Sequence, residues 1–174
     1  MRTGAMLAVA SLSVFAGCGG GGGGSTSAPS VPTPPPAATR AQVSLEIAPA
    51  TPVAKPTGDA SYPWQVDWTL TVRETAGLGG NVNFVDVSFV NTFGFEVPNA
   101  LNYGASEIIQ RAGTNHVGAR GQLQIPLSMV YRADGFGGRT ITLKNALSFT
   151  DDRGNAMTLG ATATVVSVPG AVRF

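Results

Sequence analysis

Between Trp64 and Arg73 the chain alternates without a fault. Trp64, Val66, Trp68, Leu70 and Val72 fall on one side, and Gln65, Asp67, Thr69, Thr71 and Arg73 on the other. Successive side chains of an extended strand point to opposite faces, so this run fits one half-buried strand and no helix. The same period groups Val43, Leu45 and Ile47 within Gln42–Ala48, and Leu123, Ile125, Leu127, Met129 and Tyr131 within Gln122–Tyr131. Pro126 removes one ladder donor from that last segment, which predicts an edge position or a bulge there. Val82–Asn91 is apolar on both faces in places, with Val85, Val87 and Phe89 opposing Phe84 and Val90, as suits a central strand. Thr51–Asp59 and Thr92–Gly104 read as irregular, and a short strand is expected near Ser106–Gln110. No long stretch has apolar positions at the 3.6-residue period, so helix should be scarce.

The last two strands, Arg139–Thr150 and Ala156–Val168, form a hairpin through Asp151–Asn155, with Ile141, Leu143, Leu147 and Phe149 inward and Asn145 breaking the apolar series. This stretch, "TITLKNALSFTDDRGNAMTLGATATVVSV", resembles the closing hairpin of bacterial immunoglobulin-like domains. With seven strands separated by Gly, Pro, Asn and Asp turns, the fold expected for residues 41–174 is an all-β, immunoglobulin-like antiparallel β-sandwich. There is no Cys…Trp…Cys set, so the core must rest on Trp64 or Trp68 and on aliphatic packing.

Residues 1–17 carry a different signal. Arg2 precedes a mostly apolar run, Ala5–Ala16, that ends in small residues, the build of a secretory signal peptide. A bilayer-spanning helix needs about 20 apolar residues, more than this run offers. Phe15, Ala16, Gly17 and Cys18 resemble the lipobox of bacterial lipoproteins, usually Leu-Ala-Gly-Cys. That resemblance implies cleavage before Cys18 and a diacylglycerol on its sulfur. The protein would then be exported and lipid-anchored in the bacterial cell envelope, its contact with the membrane made by the covalent lipid on Cys18. Gly19 stands where some lipoproteins carry an Asp retention signal, which favours the outer membrane or cell surface over the inner membrane. On the residues alone, cleavage after Ala16 by an ordinary signal peptidase is the competing reading, leaving a lone thiol that invites intermolecular pairing.

Six glycines follow Cys18, then Pro29, Pro32 and Pro34–Pro36. Glycine gives the most flexible backbone and proline favours extended polyproline II, so residues 18–40 are expected to be a disordered tether. Eleven Lys and Arg face ten Asp and Glu, and loss of Arg2 with the leader balances them. The basic footprint of a nucleic-acid-binding protein is therefore missing.

No residue is assigned a catalytic role, and no metal ligand or cofactor is expected. His116 is the single histidine, and no Gly-x-Ser-x-Gly elbow nominates a serine partner, so it reads as a loop residue. Asp134, Asp151, Asp152 and Asn155 could suggest calcium, but the EF-hand pattern is absent and a hairpin turn explains Asp151–Asn155. Gly77–Gly80 and Gly135–Gly138 lead into strands, not helix N-termini, and read as turns. The remaining hint is apolar residues in apparent loops: Phe93, Phe95, Leu101 and Tyr103, with Phe136 in another turn. Such side chains either close the open end of a sandwich, the commoner use, or anchor a protein or glycan partner. The function expected is an anchored envelope domain for binding or adhesion, with a passive spacer as the alternative and a small hydrolase less favoured.

Overall fold

The computed structural model describes residues 37–91, 94–132 and 140–167. Nine strands and one short helix follow in order: β1 (Val43–Ala48), β2 (Val53–Pro56), β3 (Trp64–Glu74), β4 (Gly80–Val90), β5 (Glu96–Gly104), α1 (Ala105–Ala112), β6 (His116–Val117), β7 (Gln122–Tyr131), β8 (Thr140–Asp151) and β9 (Ala156–Ser167). β1 and β7 flank β3 in a three-stranded antiparallel sheet. β9, β8, β4 and β5 make the larger sheet, and β6 pairs with the start of β4. β2 passes between the two, antiparallel to β3 at Lys55–Gln65 and parallel to β9 at Val53–Val166. A first strand on one sheet followed by a piece running parallel to the last strand of the other is the immunoglobulin-like arrangement, and the domain is an immunoglobulin-like β-sandwich.

Period two decides what lies between the sheets. Val66, Trp68, Leu70 and Val72 of β3 and Ile125, Leu127, Met129 and Tyr131 of β7 are buried, facing Leu143, Leu147 and Phe149 of β8. Full burial of a Val, Leu or Phe side chain contributes about 1.5–3 kcal/mol, so this layer supplies the main stabilising term. Phe89 of β4 and Tyr131 of β7 meet across the layer with ring centroids 4.7 Å apart. In β4 the inward phase changes: Val82 is buried, then Val85, Val87 and Phe89. A bulge between Val82 and Phe84 takes up the odd residue. The Asn83 amide there donates to Ser148 Oγ at 3.2 Å and Thr150 Oγ1 at 2.9 Å.

Asn145 interrupts the inward apolar series of β8 midway along the strand and is 2% exposed. Its Oδ1 accepts the Trp68 indole N–H at 3.2 Å, a hydrogen bond from one sheet to the other. The break in the apolar series of β8 is thus the partner of the buried tryptophan.

Several sequence expectations are corrected. Thr92–Gly104 contains a strand, β5, paired with β4 from Val90–Glu96 to Phe84–Gly104. Ser106–Gln110 lies in a helix, not a strand: Glu107 accepts the Gly104 N–H at 2.9 Å, and Gly113 closes the last turn at φ +79° with its N–H on Ile109 O. Thr51–Asp59 holds the short strand β2. Among the described residues the strands number nine, against about seven expected, and one pairing is parallel. The expected tether ends sooner than Arg40, since Thr39 O accepts from Asn155 Nδ2 and Arg40 Nη2 donates to Ala156 O, both at 3.3 Å.

Replacing Trp68 by Phe leaves the buried Asn145 oxygen without its donor and should cost about 1–3 kcal/mol. Trp68→Ala adds a cavity and should cost about 3–5 kcal/mol. Urea unfolding of Trp68→Phe, Asn145→Leu and the double variant should show the two losses to be strongly non-additive. Simple additivity would mean that the two side chains are not coupled.

Candidate functional site

Strand direction divides the domain into two poles. At the first, the chain joins β1 at Ala41, beside the ends of β3 and β8 and the start of β4. Two carboxylates organise it. Glu74, 1% exposed, accepts backbone N–H groups from Gln42, Ala76, Gly77 and Arg120 at 2.7–3.3 Å. Burial pushes its carboxyl upward, and the four N–H groups more than offset this and hold it below its ordinary value. Asp151, 4% exposed, accepts from the N–H groups of Ala41, Arg153 and Asn155 and from the Asn155 amide at 2.8–3.1 Å. Here too burial raises the carboxyl, but the bonds from Asn155, Ala41 and Arg153 outweigh it and bring it to about 2. Asp151 and Asn155 therefore build their own hairpin turn. Gly80 sits so tightly beneath it that a Cβ would lie 2.5 Å from the Phe149 ring and from Thr150 O. His116 is exposed in β6, its Nδ1 3.2 Å from Asn81 Oδ1. Among the described residues, no group of three or more His, Cys, Asp or Glu could hold a metal ion.

The opposite pole carries the loop from Thr57 to Pro63 and, near the end of β4, Asn91, Gly94 and Phe95. Phe95 is 66% exposed there, its N–H on Asn91 Oδ1 at 2.9 Å. Tyr103 is not with it. It belongs to β5 opposite Val85, on the inward phase, and is buried. The expected cluster of exposed loop aromatics therefore loses Tyr103. Phe93 and Phe136 lie outside the described residues, as do Phe15, Ala16, Gly17 and Cys18.

Tyr103 instead helps to form a groove along the edge and outer face of the three-stranded sheet. Its hydroxyl donates to Ser128 O at 2.8 Å, and the Arg111 guanidinium lies over its ring, 4.7 Å from the centroid. Burial pushes the phenol above its ordinary value; Arg111 draws it down and Glu107 raises it, so the hydroxyl stays a donor. Arg111 Nη1 also reaches Pro126 O at 3.5 Å. Among the described residues β7 pairs only with β3, so Pro126 does mark an edge strand, and two of its outward carbonyls are covered by these side chains. Two adjoining hollows share Arg111 and Ser128. One, of about 530 Å³, is walled by Tyr62, Gln65, Leu101 and Val130; the other, of about 440 Å³, by Pro49, Asp67 and Thr69. Tyr62, Leu101 and Val130 are 37–44% exposed.

The polar floor is pre-arranged. Ser128 Oγ donates to Asp67 Oδ1 at 2.7 Å, Gln65 Nε2 donates to the same oxygen at 2.8 Å, and Lys55 Nζ reaches Oδ2 at 3.4 Å. The bonds from Gln65 and Ser128 draw the Asp67 carboxyl below its ordinary value, against a smaller upward push from burial and with help from Lys55. Tyr62 is placed by its loop, where Thr57 Oγ1 donates to Tyr62 O at 2.6 Å and Thr57 N–H to Pro63 O at 3.0 Å. None of this was visible in sequence, because Tyr62, Arg111 and Ser128 converge only through the pairing of β3 with β7 and the placement of α1.

No protein-family model and no curated protein matches the chain. Solved structures do match. A structural genomics target, SoR45, superposes with a TM-score of 0.52 at 10% identity, over 77% of this chain and 91% of its own. The putative ApaA protein from Bordetella pertussis gives 0.52 at 9% identity, over 74% and 95%. At such identities the likeness is one of fold alone.

The buried carboxyls of Glu74 and Asp151, both lowered, fix the sign of an acid response. Each favours the folded state fully above its ordinary value, 4.5 for Glu74 and 3.8 for Asp151, and that contribution is lost as pH falls toward the folded values. The thermal midpoint should therefore fall as pH drops from about 5 toward 2. Asp151→Asn should lower the midpoint at neutral pH and flatten this acid slope. An unchanged slope would remove Asp151 from the account.

Proposed function

We propose that this chain is an exported, lipid-anchored envelope protein that presents its immunoglobulin-like domain to a partner outside the cytoplasm. The observation that carries the reading is Ala16-Gly17-Cys18 directly behind the apolar run Ala5–Ala16, with Cys18 the chain's single cysteine. A thiol in that position has no disulfide partner within the chain, and its chemistry suits acylation. One acyl chain gives marginal attachment and two hold firmly, since each buried methylene contributes about 0.8 kcal/mol.

The geometry of the domain supports presentation. Residues 18–40, rich in Gly and Pro, lead into β1 at the pole fastened by Glu74 and Asp151. The groove around Tyr62 and Arg111 opens on the outer face of the three-stranded sheet, toward the other pole. A partner bound there would lie toward the pole opposite Ala41.

Mass spectrometry of the mature protein should find Cys18 as the first residue, carrying a diacylglyceryl thioether. Cys18→Ser should move the protein from the detergent phase to the aqueous phase on phase separation. An unmodified wild type that partitions into the aqueous phase would overturn the anchor.

A further inference from the structure

We propose that the groove beside α1 is a glycan site, and that Arg111 selects sugars bearing a carboxylate. This rests on the reading of the domain as an envelope binding module and names its surface and its ligand. Three features meet there. Asp67, Ser128 and Gln65 form a fixed set of acceptors and donors on the outer face of β3 and β7. Neighbouring sugar hydroxyls, each both donor and acceptor, pair well with such a set, and its internal bonds hold the geometry before any ligand arrives. Tyr62 offers an exposed ring, and Leu101 and Val130 exposed aliphatic surface, for the C–H face of a pyranose.

Arg111 supplies the selectivity. Its guanidinium is held over Tyr103, with one long bond to Pro126 O. Arg111 makes no ion pair with a described carboxylate; the pair nearest the groove joins Lys55 and Asp67. It stands where the two hollows adjoin. A stacked guanidinium with free donors binds a carboxylate through two parallel N–H bonds. The hollows, of about 530 and 440 Å³, suit a ligand of one or two sugar rings. An added peptide strand is disfavoured, because β7 offers no N–H at Pro126 and its Pro126 and Ser128 carbonyls are already engaged.

The test uses the full chain in detergent, titrated by calorimetry with oligogalacturonide, with its methyl ester and with oligoglutamate. The acid sugar should bind at least tenfold more tightly than the ester. Arg111→Gln should abolish that difference, and Arg111→Lys should restore part of it. Tyr62→Ala, at an exposed loop position, should weaken both sugars, while Arg73→Gln, toward the other end of the same face, should change neither. Oligoglutamate binding as tightly as the acid sugar would overturn the glycan in favour of an acidic peptide. Sugar binding unaffected by Arg111→Gln and Tyr62→Ala would overturn the groove yet leave a binding module. No binding by any probe would overturn the glycan assignment while the lipid on Cys18 could still be found by mass spectrometry.

Discussion

The indole of Trp68 lies between the sheets and donates its N–H to Asn145 on the facing strand. Most of what the domain does with its sequence follows from that contact. Apolar packing brings two sheets together without prescribing how far one slides over the other. A buried donor with one acceptor within reach does prescribe it, because a slip would orphan both groups at about 1–3 kcal/mol for each. β3 and β8 are the strands that correspond to the pair bridged by the disulfide of antibody domains. The folded part of this chain has no cysteine, and a hydrogen bond stands in that place.

The two buried carboxylates do for the backbone at one pole what that bond does for the core. Glu74 gathers N–H groups from three separate segments, and Asp151 joins Ala41 to the β8–β9 turn. Neither pairs with a cation among the described residues; both are satisfied by N–H donors fixed in the fold. The contrast is Lys55 with Asp67, whose side chains are 69% and 45% exposed. A pair so open to water contributes at most about 1 kcal/mol. Asp67 matters instead for the order it imposes on Ser128 and Gln65.

What could be read in the sequence was whatever a period of two records. β3, β7, β8 and β9 are long and alternate at period two, with Asn145 the one break in the apolar face of β8 between Ile141 and Phe149, and the side each buries follows from that period. β5 was hidden because Asn99 breaks the alternation of Val97, Leu101 and Tyr103, Pro98 argues against a paired strand, and the pairing with β4 is interrupted by an irregularity. Its neighbour α1 is two turns long and buries one isoleucine fully, too little for a helical period to stand out, although Glu107 and Gly113 mark both ends. Tyr103 was misplaced for the same reason: without β5 there was no phase to turn it inward. Phe95 stands exposed just ahead of β5. The groove had no local signature at all, since Gln65 and Ser128 are 63 residues apart and meet as neighbours in a sheet.

If the domain is tethered through Ala41 and holds a ligand in the groove, as proposed, the strand arrangement fixes the direction in which it is loaded. β1 lies antiparallel to β3 over six register pairs, from Val43–Glu74 to Ala48–Thr69. A pull on Ala41 against a ligand held near Tyr62 runs along these strands, not across them. Hydrogen bonds perpendicular to such a pull are strained together, whereas a pull at right angles would open them one by one. Before any of the six pairs is strained, Gln42 and Ala41 must leave the Glu74 and Asp151 carboxylates. A side chain that orders a turn at neutral pH thus also fastens the segment through which a tethered domain would be held, and protonation is the condition under which that fastening weakens.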